Sequence, residues 1–129
     1  MPSELPPPED LPVIADPATI AAAPRAVVYC CVEWSGPERM ARRVIRDAIA
    51  RLRTAEGPIA FEFFAIEEDA PAFAEWLASH QWPVMGSGGV LWVEAGRCVA
   101  REIAAGQAGV EGIVRGTEAL WGETAPLPL

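Results

Sequence analysis

Residues 27–40 read VVYCCVEWSGPERM, and the reading of the whole chain turns on this stretch. Its first half, with Ala26, forms a continuous apolar run rich in β-formers (Ala26–Val32), the pattern of a strand covered on both faces. The second half changes period. Ser35-x-x-Glu38 spells a capping box: the Ser side chain accepts from the amide three residues on, and the Glu carboxylate returns to the Ser amide. Glu38 also stands at the positive end of the helix dipole. From Ser35 to about Arg53, the residues Met40, Val44, Ile45, Ala48, Ile49 and Leu52 recur at helical spacing and form one apolar stripe. Gly57-Pro58 ends the segment. A buried strand thus turns sharply into a long amphipathic helix.

Working outward, Asp16-Pro17 is an N-cap followed by proline at the first helical position, opening a short helix to about Ala23. Leu11–Ala15 before it suits a short edge strand. On the other side, Ile59–Ile66 (IAFEFFAI) is a second buried strand, and Pro71–Ser79 a short helix with Phe73, Trp76 and Leu77 on one side. Val90–Glu94 is a third strand, Ala95-Gly96 a hairpin turn into a fourth near Cys98–Ile103, and Val110–Trp121 a closing helix. The order βαβαβαββα argues for an α/β sandwich with a mixed central sheet. The opening MPSELPPPEDLP is rich in Pro and acid, with little to bury. One domain is expected over residues 11–122, between a disordered or extended tail of residues 1–10 and a short tail of residues 123–129.

Composition narrows the function classes. The net charge is −8, which argues against a general nucleic-acid binder, since phosphate neutralisation needs a basic surface. No apolar run approaches the roughly 20 residues of a membrane span. No basic residue precedes Arg25, so the charged start of a secretory signal is lacking, and a cytoplasmic protein is expected. All ten basic residues are Arg, which with abundant Ala suggests a GC-rich bacterial genome. Six of them fall between Arg39 and Arg53, whereas Thr54 to Gly96 holds seven carboxylates and no Arg. That asymmetry favours steering an acidic partner onto one face.

The stretch around Trp34 resembles the active-site segment of the thioredoxins, in which a strand is followed by Glu-Trp-Cys-Gly-Pro-Cys-Lys-Met and a long helix. Glu33, Trp34, Gly36, Pro37 and Met40 match as they stand, and Arg39 replaces the Lys. By element order the resemblance extends over about residues 11–121, and it implies a three-layer sandwich. The departures carry the functional implication. The family's nucleophilic cysteine is Ser35 here, and its resolving cysteine is Glu38. The family's cis-proline would fall at Gly88, counting back from the Ala95-Gly96 turn, and its buried acid at Tyr29. A dithiol reductase needs a thiolate held at a helix N-terminus and a second thiol to release the substrate. A serine at Ser35 does not ionise enough to replace the first. The only histidine, His80, lies about 45 residues away, so no base activates Ser35 for hydrolase chemistry. No catalytic residue is therefore assigned.

The expected function is a non-catalytic binding module for a protein or peptide, an adaptor, assembly chaperone or regulatory subunit. Its surface is expected at Trp34, Ser35, Gly36, Pro37, Glu38, Met85, Ser87, Gly88 and Gly89, with Trp82-Pro83-Val84-Met85 leading into the Gly-rich loop. Trp34 and Met85 beside an open backbone edge are what peptide recognition uses; irregular packing under a loop is the plainer reading of the 82–85 segment. Arg39, Arg42, Arg43 and Arg46 form either a docking patch for acidic partners or a solvated face neutralised by Glu38 and Asp47. Gly86-Ser87-Gly88-Gly89 precedes a strand rather than opening a helix, so it is not a phosphate-binding loop. Three cysteines and one histidine without CxxC or HxxxH spacing make no metal site, and no cofactor is expected. Cys30 and Cys31, adjacent in a strand, point to opposite faces. The alternative function is a thiol-dependent redox or sensor protein using Cys30, Cys31 or Cys98.

Overall fold

The computed structural model describes residues 16–31, 36–54, 59–67, 70–82 and 88–122, and among these every side chain except those of residues 36–39 and 54. Eight elements follow one another: α1 (Pro17–Ala22), β1 (Arg25–Cys31), α2 (Gly36–Thr54), β2 (Glu62–Glu67), α3 (Pro71–Ser79), β3 (Val90–Glu94), β4 (Arg97–Glu102) and α4 (Ala105–Trp121). The edge strand expected at Leu11–Ala15 and both expected tails lie outside the described residues.

Four strands form one mixed sheet in the order β2-β1-β3-β4. β1 runs parallel to β2, with Val27 opposite Phe63, and antiparallel to β3, with Val27 opposite Trp92. The parallel pair is joined by α2, as a parallel crossover requires. Because successive side chains in a strand face opposite ways, β1 feeds two cores. Val27, Tyr29 and Cys31 join Ala41, Ile45, Ala48 and Leu52 of α2 and Ile113, Val114 and Trp121 of α4. Ala26, Val28 and Cys30 join Ile20 of α1, Phe73 and Leu77 of α3, and Trp82. The result is a three-layer α/β sandwich whose central strand is buried on both faces, as its unbroken apolar run requires.

Local signals account for most boundaries. Asp16 caps α1 by accepting from the Ala18 amide at 3.0 Å, ahead of Pro17 in the first turn. α3 ends in a Schellman motif, with Trp82 N–H donating to Leu77 O and Gln81 N–H to Ala78 O. Gln81 takes the left-handed position at φ 57°. The β3–β4 hairpin turns at Ala95 (φ 52°) and Gly96 (φ 83°), both left-handed, as a two-residue type I′ turn demands. Two boundaries differ from the sequence reading by more than one residue. β2 begins at Glu62 rather than Ile59, since its parallel pairing with β1 starts there. α4 begins at Ala105 rather than Val110, with a break at Gly109 (φ 76°, ψ 170°) that separates a first short turn from the main helix.

Candidate functional site

The expected binding surface centres on the start of α2 and the approach to β3. α2 begins at Gly36, so Gly36, Pro37, Glu38 and Arg39 occupy its first turn. Trp34, Ser35, Met85 and Ser87, and with Ser35 the capping-box geometry, lie outside the described residues. Gly88 and Gly89 are described, and both are buried.

Their backbone is committed to the fold. Gly88 O accepts from Ala105 N–H at 2.9 Å, tying the approach to β3 to the start of α4. Gly89 O accepts from Cys30 N–H at 2.9 Å, extending the β1–β3 pairing by one bond. Gly88 adopts φ 76°, a conformation that glycine takes without steric cost. Gly89 answers a different constraint: a Cβ there would collide with the six-membered ring of Trp82. The carbonyls of Gly88 and Gly89 are therefore both paired within the fold. Trp82 itself is 3 % exposed and belongs to the α1–α3 core, so the plainer reading of that tryptophan holds. Its burial follows from the Schellman end of α3, which turns the chain back onto Leu77.

Two apolar side chains that sequence reasoning did not assign to this surface are exposed beside it. Met40, expected in the buried stripe of α2, is 62 % exposed, and Ile103 is 44 % exposed. The buried face of α2 runs instead through Ala41, Ile45, Ala48, Ile49 and Leu52, one position round from Met40. The two residues are linked through the start of α4. Met40 Cγ lies 3.7 Å from where a Cβ on Gly106 would stand, and Ile103 O lies 3.1 Å from the corresponding position on Gly89. The sequence places Ile103 inside the fourth strand, whereas β4 ends one residue earlier, at Glu102.

The arginines of α2 do not form one solvated stripe. Arg43 is exposed and Arg42 is half-buried, while the Arg46 side chain is only 17 % exposed, its Nε 3.5 Å from Asp47 Oδ1. Further along, Arg51 Nη2 meets Glu111 Oε2 of α4 at 2.6 Å, and Arg115 Nε stands 3.6 Å from Glu111 Oε1. Hydrogen bonding to Arg51 and its charge hold the Glu111 carboxyl below the ordinary glutamate range.

All three cysteines are free thiols. Cys30 is fully buried in one core and Cys31 in the other, where its Sγ donates to Ile66 O at 3.1 Å. Cys98, on β4, is half-buried, and its Sγ donates to Ala100 O at 3.3 Å. Burial pushes the Cys98 thiol up, against smaller opposing effects of the Ala100 carbonyl and the Arg101 charge. Tyr29, where the thioredoxins carry a buried acid, is fully buried in the α2–α4 core. Among the described residues no three His, Cys, Asp or Glu side chains group so as to hold a metal. No described helix is long and apolar enough to cross a membrane.

Neither a scan of protein-family models nor a search of curated protein sequences returns a match. The architecture does match solved structures. Mitochondrial thioredoxin 3 of Saccharomyces cerevisiae, in its oxidised form, superposes with a TM-score of 0.63 at 12 % identity, covering 88 % of this chain and 99 % of that one. The germline-specific thioredoxin Deadhead of Drosophila melanogaster gives 0.60 at 12 %, over 85 % of this chain and 99 % of that one. Thioredoxin O2 of Arabidopsis thaliana, also oxidised, gives 0.58 at 15 %, over 84 % and 92 %. The chain is a thioredoxin-fold protein, spanning nearly the whole of each of these structures. Identities this low establish the fold alone, and the chemistry has to be argued from the residues.

Proposed function

We propose that this protein is a non-catalytic thioredoxin-fold module that binds a protein or peptide at the surface where α2 begins. The surface we assign takes residues 34–38 and 85–87 from the sequence, with Met40 and Ile103 extending it. The observation that carries the reading is the exposure of Met40 and Ile103 on either side of the Gly88–Ala105 junction. Large exposed apolar side chains next to a rigid backbone are what a recognition surface requires. Ser35 and Glu38 stand where a dithiol enzyme needs two thiols, and the burial of Cys30 and Cys31 supports the same reading.

The test is affinity capture from lysate of the source organism, eluted without reductant, with wild type, Trp34→Ala and Met40→Glu as parallel baits. A partner held by wild type, lost with both variants and released by salt or detergent is the expected result. A partner released only by reductant would overturn the proposal and give the function to the cysteines. Binding unaffected by either variant would remove the surface assignment.

A further inference from the structure

The end of the sheet away from the α2 surface carries an apolar cleft. β1 runs from Arg25 to Cys31, about 20 Å, and α2 begins beyond its far end. At the near end a cleft of about 430 Å³ is lined by Pro24 and Arg25, and by Ile59, Ala60, Phe61 and Glu62 leading into β2. The volume falls within the range of small-ligand sites. Four of the six lining residues are apolar, and the one Arg and one Glu balance in charge.

The wall of this cleft is set by the fold. Phe61 stacks on Trp121 of α4, with ring centroids 6.4 Å apart. Arg25 stands over the Trp121 ring at 5.8 Å, and Arg53 of α2 over the Phe61 ring at 5.4 Å. Trp121 Nε1 donates to Glu94 Oε1 at 3.1 Å, so the indole is also held from β3. Despite these contacts Ile59 and Phe61 are only half-buried, and Pro24 and Ala60 are exposed.

The chain itself supplies an occupant. α4 ends at Trp121, and Gly122 leaves it extended at φ −70°, ψ 112°, near polyproline geometry. Residues 123–129 follow, Glu-Thr-Ala-Pro-Leu-Pro-Leu. They start two positions after the ring on which Phe61 stacks. Seven residues in a polyproline extension span about 22 Å, enough to cross the cleft. Pro126-Leu127-Pro128 favours that extension, and aromatic-lined grooves take such pre-ordered segments at low entropic cost. After Glu123 the segment has no charged side chain, which suits a lining whose charges balance. Residues 1–15 suit it less well, since they carry Glu4, Glu9 and Asp10 and no Arg.

We propose that residues 123–129 dock in this cleft, with Leu127 and Leu129 against Ile59 and Phe61. The occupant is then a segment of the same chain, delivered by the end of α4.

The test is NMR on the dilute, isotope-labelled full chain. Nuclear Overhauser cross-peaks are expected from the Leu127 or Leu129 methyls to the Ile59 methyls or the Phe61 ring. Ala60→Glu, on the exposed lining, is expected to abolish them. Leu127→Asp combined with Leu129→Asp should also abolish them and shift the Ile59 and Phe61 resonances. Neither variant alters a buried residue, so the amide signals of β1 and β3 should hold their positions and confirm the fold. Absence of these cross-peaks in wild type, or their survival in Ala60→Glu, overturns the proposal. Contacts from Leu5 or Leu11 in place of Leu127 and Leu129 overturn it in favour of the other end of the chain. Cross-peaks found only between labelled and unlabelled molecules in a mixed sample overturn it in favour of a second copy. Trp34→Ala is expected to leave the cross-peaks intact, which keeps this result separate from the fate of the α2 surface.

Discussion

At the scale of single residues, the contact between Gly89 and Trp82 shows how closely the approach to β3 is packed. The Trp82 ring occupies the space a side chain at position 89 would need. Gly89→Ala is expected to cost about 1–3 kcal/mol, the usual penalty of overpacking a filled site. Urea unfolding would measure it, and Trp82→Leu in the Gly89→Ala background should recover part of the loss by vacating that space. An unchanged midpoint for Gly89→Ala would mean that the Trp82 ring does not fill that space. Cys98 gives a pH prediction. Burial raises its thiol pKa in the folded chain, so the native state holds that proton more tightly than the unfolded chain does. The stabilisation is therefore complete below the ordinary thiol range and is lost as pH rises through it. Two results are expected: native Cys98 alkylates more slowly than in the urea-unfolded chain, and the stability difference between wild type and Cys98→Ala shifts against wild type in alkaline buffer. Native alkylation as fast as in the unfolded chain would show that the thiol is not held in its neutral form.

At the scale of elements, a buried polar chain ties α4 to the sheet within their shared apolar core. Trp92 Nε1 donates to Thr117 Oγ1 at 2.9 Å, and that hydroxyl donates to Ile113 O at 2.9 Å. Thr117 is the one buried polar residue of the described core, and its hydroxyl satisfies an indole that a fully apolar helix face would strand. Thr117→Val keeps the shape and removes the acceptor, so it is expected to cost about 1–3 kcal/mol, whereas Thr117→Ser should cost about 1 kcal/mol for the lost methyl. Equal losses for the two variants would show that packing, not the hydrogen bond, holds α4. The sequence made the elements legible where chemistry is local: the cap at Asp16, the turn at Ala95-Gly96 and the unbroken β1 run. It misplaced Met40 by one position on the α2 wheel, because a stripe of alternating Ala and large residues leaves the centre of the buried face ambiguous. The early start of α4 was not legible either, because Gly109 reads as a helix breaker until Ala105 N–H is seen donating to Gly88 O.

At the scale of the whole molecule, the sheet determines what the cysteines are able to do. Cys30 and Cys31 are neighbours in sequence but belong to the two cores on opposite sides of β1. Cys98 stands opposite Val93, which pairs with Ala26, so it lies two strands away from β1 and four positions along it from Cys30. Four positions alone are about 13 Å, and a disulfide needs Cα atoms within about 7 Å. The folded chain therefore cannot form an internal disulfide without breaking its sheet. The melting temperature should be the same, within about 1 °C, with and without millimolar dithiothreitol, since a disulfide worth even 1 kcal/mol would move it by several degrees. Insulin reduction driven by dithiothreitol should likewise proceed no faster with the protein than without it. A reductant-dependent melting temperature would require a sulfur pairing that this sheet forbids, between chains or after local opening of β1. Accelerated insulin reduction would place a working thiol at the surface and turn the exposed Met40–Ile103 face from a binding surface into the approach to a redox site.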